Sequence, residues 1–144
     1  MANAELKKKL NELMTLPAEV EWVEFKEAKN NINFNNLGKY FSALSNEANL
    51  KGQKCAWIVL GVTNKPPRKI VGSKYCPTRP SLDSLKKGIA DKTTNRLTFE
   101  EIYELHTSEG RVLLFQVPSA LRGIPTAWEG HYYGREGESL GPLN

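Results

Sequence analysis

The sequence is poor in the residue types that build metal sites and disulfide frameworks. It has two cysteines, Cys55 and Cys76, with no CxxC spacing between or around them. Its two histidines, His106 and His131, have no partner at a spacing typical of a metal site or a Cys/His pair. The pattern argues against a zinc site and against disulfide stabilisation, and we interpret both histidines as surface or half-buried side chains.

Long hydrophobic runs and targeting segments are also lacking. The longest apolar stretch, Ala56 to Val62, is far too short to cross a bilayer, and no basic-then-apolar signal peptide opens the chain. We therefore expect a soluble, cytoplasmic protein with no membrane partner. Its 144 residues, 40% hydrophobic and 25% charged, suit one globular domain with a single core.

Positive charge is concentrated in the middle of the chain. The formal net charge is +4, but the segment from Lys51 to Arg96 has eleven Lys or Arg and only Asp83 and Asp91 as acids, giving +9. Folded onto one face, this segment would make a positive surface suited to phosphates, because cation–phosphate contacts release condensed counterions. The alternative is a solvated, lysine-rich loop surface.

Hydrophobic periodicity predicts three helices. The first spans Ala4 to Met14, the second spans Asn36 to Leu50 with Asn35 or Asn36 as N-cap, and the third starts at Ser81 as N-cap. In the second helix the predicted buried stripe consists of Leu37, Tyr40, Phe41, Leu44 and Ala48.

The remaining regular segments read as strands. Cys55 to Val62 is continuous and apolar, which is typical of a central strand covered on both faces, and Lys69 to Gly72 is predicted as its hairpin partner. The other predicted strands are Glu21 to Lys26, the hairpin Phe99 to Thr107 with Arg111 to Val117, and a short pair at Ala127 to Trp128 and Tyr132 to Tyr133. We predict an α+β single domain, with a mixed, mostly antiparallel sheet and about three helices packed on it.

Four motifs in this order resemble the Schlafen/AlbA-like domain, over about Pro17 to Leu143. They are Glu19–Lys26 (EVEWVEFK), Tyr40–Ala48 (YFSALSNEA), Trp57–Val62 (WIVLGV) with Lys69–Gly72 (KIVG), and Val117-Pro118-Ser119 with Ile124-Pro125 and His131–Ser139 (HYYGREGES). The family is assigned to DNA binding and stands at the front of many bacterial transcriptional regulators. The resemblance therefore implies a DNA-binding domain, and we expect the chain to be a piece cut from a longer regulator.

The basic segment supplies the candidate phosphate contacts. Lys65, Arg68 and Lys69 lie around a loop stiffened by two prolines, which loses less conformational entropy on binding than a flexible loop. Arg135, which is followed by Glu136 and Glu138, either contacts phosphate or makes a local ion pair. The remaining candidates are Lys51, Lys54, Lys86 and Lys87, with Lys92 and Arg96 as an extension.

The resemblance also implies an enzymatic alternative. Eukaryotic Schlafen relatives use an acidic cluster for metal-dependent RNA cleavage, and by position its two Glu fall on Glu19 and Glu24. The third acid falls at Thr63-Asn64, where the Asn64 amide supplies no charge to hold Mg²⁺ or Mn²⁺ or to activate water. A simpler interpretation has the two Glu solvated or paired with Lys26, so we expect no cofactor and leave the enzyme question open.

A protein-interaction or oligomerisation module is the third hypothesis, and a homodimer stays open. ATP binding ranks last, because the chain has no GxxxxGK[ST] motif or other glycine-rich phosphate loop. No helix-turn-helix element with base-reading side chains is evident either.

Overall fold

The computed structural model describes residues 1–17, 20–137 and 139–143. Helices and strands alternate as far as the third α-helix, and the remaining strands follow. The helices are α1 (Asn3–Met14), α2 (Phe34–Leu50) and α3 (Arg79–Ala90), followed by a short 3-10 helix (Thr94–Arg96). The strands are β1 (Val23–Lys26), β2 (Cys55–Leu60), β3 (Glu101–Thr107), β4 (Gly110–Pro118), β5 (Ala127–Trp128), β6 (His131–Glu136) and β7 (Ser139–Pro142). Within the described ranges, no helix has both the length and the apolar character that a bilayer crossing requires.

The strands form two sheets. The main sheet has the order β1-β2-β4-β3, with β1 parallel to β2 and the other neighbours antiparallel. A smaller antiparallel sheet has the order β5-β6-β7. This architecture confirms the predicted single α+β domain with a mixed, mostly antiparallel sheet and three α-helices. The prediction missed β7, which pairs with β6 through Arg135 and Leu140 among others.

β2 is the central strand, as its uninterrupted apolar sequence predicts. All its side chains after Cys55 are buried, because α-helices cover both faces and β1 and β4 occupy both edges. The predicted hairpin partner, Lys69 to Gly72, is wrong for this reason. In the structure Ile70 makes only an isolated bridge to Val62, while the amides of Val71 and Gly72 both donate to the Gly61 carbonyl.

The core has two layers, one on each face of the main sheet. On one face α1 buries Leu6, Leu10 and Leu13, whose i, i+4, i+7 spacing gives a single apolar stripe. On the other face lie α2, α3 and the small sheet. α2 is buried on two sides because it lies between the two sheets, so even the polar residues Ser42, Ser45 and Asn46 are buried.

Those buried polar groups are satisfied by the segment that leads into the small sheet. The Asn46 side-chain amide donates to the Thr126 carbonyl and accepts from the Thr126 amide, at 3.0 and 2.7 Å. Ser42 donates to the same carbonyl at 2.7 Å, and Ser45 bonds the Thr126 hydroxyl. Buried groups without such partners would destabilise the fold, so this network fixes the small sheet on α2.

The three α-helices begin earlier than predicted, α1 by one residue and α2 and α3 by more. α2 starts at Phe34, because the Asn33 side chain accepts from the Asn36 amide at 3.0 Å, so neither Asn35 nor Asn36 is the N-cap. α3 starts at Arg79, where Thr78 is the N-cap and Ser81 returns a hydrogen bond in a capping box. In α2 and α3, the side chain of a residue upstream of the predicted start caps the free amides of the first helical turn.

Candidate nucleic-acid interface

Five of the predicted phosphate-binding residues fall into two groups at opposite ends of β2. Lys51 and Lys54 precede the strand, whereas Lys65, Arg68 and Lys69 follow it. A six-residue strand separates its ends by about 17 Å. The structure therefore does not place these five cations side by side.

Lys51, which precedes β2, forms ion pairs with two carboxylates. Its ammonium lies 3.1 Å from the Glu21 carboxylate and 3.9 Å from that of Glu47. The hydrogen bond to Glu21 and its charge raise the pKa of Lys51. Lys54 differs, since it is exposed and no carboxylate in the described part of the chain lies within ion-pair distance.

Arg68 is buried rather than displayed at the loop tip. It is 8% exposed, and its guanidinium stacks over the Phe25 ring at 4.2 Å. Its nitrogens donate to the carbonyls of Met14, Leu16, Pro17 and Asn64. Arg68 therefore holds the loop against the end of α1 and does not offer its charge to a ligand, whereas Lys65 and Lys69 on either side are exposed and meet no carboxylate of the described residues.

Arg135 is also buried, and its described acid partner is Glu24, far away in the sequence; Glu138, one of the two acids of the predicted local pair, lies outside the described residues. Its guanidinium donates to the Glu24 carboxylate at 2.7 Å and to the Val23 carbonyl at 2.9 Å, with both charged side chains 3% exposed or less. The ion pair joins β6 to β1. Lys26 contacts the second Glu24 oxygen at 3.1 Å and lies 4.8 Å from the Tyr40 ring. Burial lowers the pKa of Lys26, but Tyr40 and Glu24 outweigh burial and raise it.

The structure describes only part of the acidic metal cluster of the nuclease alternative. Both oxygens of Glu24 contact cations, and the main-chain carbonyl of Asn64, as distinct from its side-chain amide, accepts a hydrogen bond from Arg68. Glu19 lies outside the described residues. Elsewhere in the ranges that the structure describes, no three His, Cys, Asp or Glu side chains are grouped to hold a metal ion.

The cations around α3 are mostly engaged. Lys86 reaches the Glu100 carbonyl at 3.5 Å, while Lys92 pairs with Glu129 at 3.7 Å and Arg96 with Asp91 at 2.7 Å. Lys87 is exposed and has no carboxylate partner among the described residues. These side chains do not extend a free basic surface along the helix.

A groove lies where three segments meet at the carboxyl ends of β1 and β2. We call it the basic groove; it has a volume of about 740 Å³ and is lined by Lys29, Asn30, Val71–Lys74, Pro77, His106, Gly110 and Arg111. The segments are tied together by the Ser73 amide, which donates to the Arg111 carbonyl, and by the Lys74 amide, which donates to the Lys29 carbonyl, both at 2.8 Å. Its walls are therefore fixed by backbone hydrogen bonds.

Glycines let these segments approach closely. A Cβ on Gly110 would lie 2.7 Å from the Cα of Gly72, and a Cβ on Gly61 would lie 2.8 Å from the Arg111 carbonyl oxygen. All three glycines have positive φ, a conformation that side chains disfavour. Gly72 of the KIVG motif lines the groove, and Gly61 of the WIVLGV motif supports it from behind by accepting hydrogen bonds from the Val71 and Gly72 amides.

The rim of the groove is positively charged. Lys74 is exposed and has no acid partner in the described ranges, and Lys29 has only Glu27 at 4.0 Å. Arg111 is held by Glu104 at 3.0 Å and by the carbonyls of Tyr75 and Cys76. Sequence reasoning singled out neither Lys29 nor Lys74. Lys74 follows the Ile-Val-Gly motif by two residues and could have been found there, whereas Lys29 lies outside the basic segment.

Comparison with solved structures places the fold among known domains. The chain is similar to the DIP2311 protein of Corynebacterium diphtheriae, with 18% identity, a TM-score of 0.60, and coverage of 97% of this chain and 26% of that protein. It is also similar to the N-terminal domain of a RecG-related protein of Nitrosomonas europaea, named for an ATP-dependent DNA helicase. There the identity is 17%, the TM-score is 0.54, and the coverage is 100% of this chain and 92% of that domain.

Sequence relationships give the family. No curated protein matches the chain. The family model described as Schlafen, AlbA_2 matches residues 19–144, which is most of the sequence and includes all four motifs. The chain belongs to the Schlafen, AlbA_2 family.

Proposed function

We propose that this chain is a nucleic-acid-binding domain, with DNA as the expected partner, of a cytoplasmic transcriptional regulator. The observation that carries the proposal is the set of exposed lysines at one end of the main sheet. Lys29 and Lys74 line the basic groove, and Lys65 and Lys69 lie in the loop that leads into its wall. Three of these lysines pair with no carboxylate of the described residues, and the fourth, Lys29, lies 4.0 Å from the Glu27 carboxylate. Such exposed and weakly paired cations bind phosphates with release of counterions.

Two further findings support a role with nucleic acid. Membership of the Schlafen, AlbA_2 family is one. The other is the shared fold with a domain of the RecG-related protein, whose name refers to a DNA helicase. The chain covers about a quarter of the length of DIP2311. A role in transcriptional regulation would belong to a longer protein, and it is therefore proposed here and not taken from the comparison. A homodimer would present two basic grooves and so increase the number of phosphate contacts.

A salt titration with variants tests the proposal. The binding of labelled DNA, measured by fluorescence anisotropy, should weaken steeply with salt. In the double variant Lys29→Ala with Lys74→Ala, the plot of log K against log salt should be less steep by about 1.4 to 1.8. Each lost phosphate contact reduces the steepness by about 0.7 to 0.9. Lys65→Ala with Lys69→Ala should act in the same direction.

The matched control removes the same charge elsewhere. Lys7 and Lys8 are exposed on α1, on the opposite side of its buried stripe, and no carboxylate of the described residues pairs with them. Lys7→Ala with Lys8→Ala should leave the slope near that of the wild type. Equal slopes for all three double variants, or an absence of salt-dependent binding, would remove the groove from the proposal.

A further inference from the structure

The lining of the basic groove is not that of a simple phosphate cradle. Its rim has the cations Lys29 and Lys74, but its base is formed by Val71, Gly72 and Gly110, which offer hydrocarbon and backbone. A ligand that fits must combine negative charge with an apolar face. A nucleotide has both, the base being the apolar face.

We propose that the groove binds an unstacked base, so that the preferred ligand is a single-stranded nucleic acid; this inference rests on the proposed function. In a duplex the faces of the bases are covered by their neighbours, and only phosphates, sugars and base edges meet a protein. A base outside a stack exposes its face. The groove volume of about 740 Å³ lies within the range of sites that take small organic groups.

His106 supplies the stacking surface. Its side chain is 73% exposed at the groove wall, next to the β3–β4 turn, and the nearest carboxylate, on Glu104, is 4.0 Å away. A base that lies against this ring would have Lys29 and Lys74 at the rim for its flanking phosphates. Aromatic side chains and basic rims are combined in this way where single strands bind.

The floor of the groove has few backbone amides free to donate hydrogen bonds to the edge of a nucleotide base. The Gly72 amide donates to the Gly61 carbonyl, the Ser73 amide to the Arg111 carbonyl, and the Gly110 amide to the Thr107 hydroxyl. Contacts would therefore come from stacking and charge, which any base can satisfy. We expect a weak preference among sequences.

The test compares a labelled single strand with a hairpin duplex of the same composition, on the intact chain. The single strand should bind more tightly, and His106→Ala should weaken its binding about 5- to 150-fold, the effect of losing one base–aromatic stack. His106→Phe should bind like the wild type, because it keeps the ring without the imidazole. His131 is an exposed histidine in β6, outside the groove, and His131→Ala is the matched control with unchanged affinity.

The outcomes separate this inference from the proposed function. Equal affinities for single strand and duplex, or a His106→Ala variant that binds like His131→Ala, would overturn the base site. The proposed function would still stand if Lys29→Ala with Lys74→Ala lowered the salt slope. Failure of both ligands to bind would overturn the proposed function itself.

Discussion

Arg135→Ala is expected to lower the free energy of unfolding by about 3 to 5 kcal/mol, the usual cost of leaving one member of a buried ion pair behind. The Glu24 carboxylate, 3% exposed, would keep only Lys26 as a charged partner. The Val23 carbonyl would lose its guanidinium donor as well. Because β6 and β1 are joined by this contact, the loss should act on the whole fold.

The assay is urea unfolding followed by circular dichroism, with thermal unfolding as a second measure. For a chain of this size each kcal/mol corresponds to about 2 to 4 °C, so the melting temperature should fall by about 6 to 20 °C. Arg96→Ala is the matched control, because Arg96 pairs with Asp91 at 2.7 Å with both side chains about half exposed or more. Such surface pairs contribute about 1 kcal/mol or less.

A double variant tests the physical reason. Replacement of the pair by apolar side chains, Glu24→Leu with Arg135→Met, removes both buried charges and leaves neither unpaired. It should be more stable than Arg135→Ala alone. The reasoning fails if Arg135→Ala costs no more than Arg96→Ala, or if the apolar double variant is the least stable protein of the series.

Two other predictions concern stability. Gly38→Ala in α2 should destabilise the fold by about 1 to 3 kcal/mol or more, because the new Cβ would lie 2.1 Å from the buried Trp128 ring. Gly88→Ala in α3 is the control, and it should change the free energy of unfolding in urea little, because the nearest ring atom is 3.3 Å from the new Cβ. Similar stabilities for the two variants would contradict this packing. Burial raises the pKa of Glu21, but the Lys51 ammonium and the other hydrogen-bond and charge partners outweigh burial and hold it below its ordinary value of 4.5. A lowered folded pKa means that the stability from Glu21 is fully present above about 4.5 and is lost as pH falls through the folded value, so Glu21→Gln should reduce the acid-induced drop in melting temperature. An unchanged drop would show that this carboxylate is not a source of the pH dependence.

Local patterns in the sequence were sufficient for most helices and strands. Four of the five residues in the predicted stripe of α2 are fully buried, since their spacing leaves one apolar face. The fifth, Tyr40, is only partly buried and lies next to the Lys26 ammonium. The β3–β4 hairpin follows from two β-favouring runs around a Ser-Glu-Gly turn. Burial of one face and turn chemistry are both local, so such elements can be read from neighbouring residues.

Strand pairing and ion pairing were harder to predict because they join distant residues. Arg135 contacts Glu24, which is 111 positions away, so the sequence around Arg135 does not indicate this pair. Arg68 likewise meets carbonyls about 50 positions upstream. In both cases long-range burial decides whether an arginine is displayed or used to hold segments together.

The candidate site shows the same division. The basic segment predicted from the sequence contains the Gly-Val and Ile-Val-Gly motifs. It also contains the exposed lysines Lys65 and Lys69. The groove itself needs Lys29 from the end of β1 and His106 from the end of β3, which only the fold brings to one place. A basic stretch in the sequence therefore indicated a charge, while the three-dimensional arrangement gave it a location.

Nuclear magnetic resonance with isotope-labelled protein and a short single-stranded oligonucleotide tests the location directly. The account predicts that the largest amide shift changes on titration fall at Lys29, Gly72, Lys74 and Gly110, around the basic groove. Shift changes centred on α1 or on the exposed side of α3, with the groove amides unmoved, would contradict it.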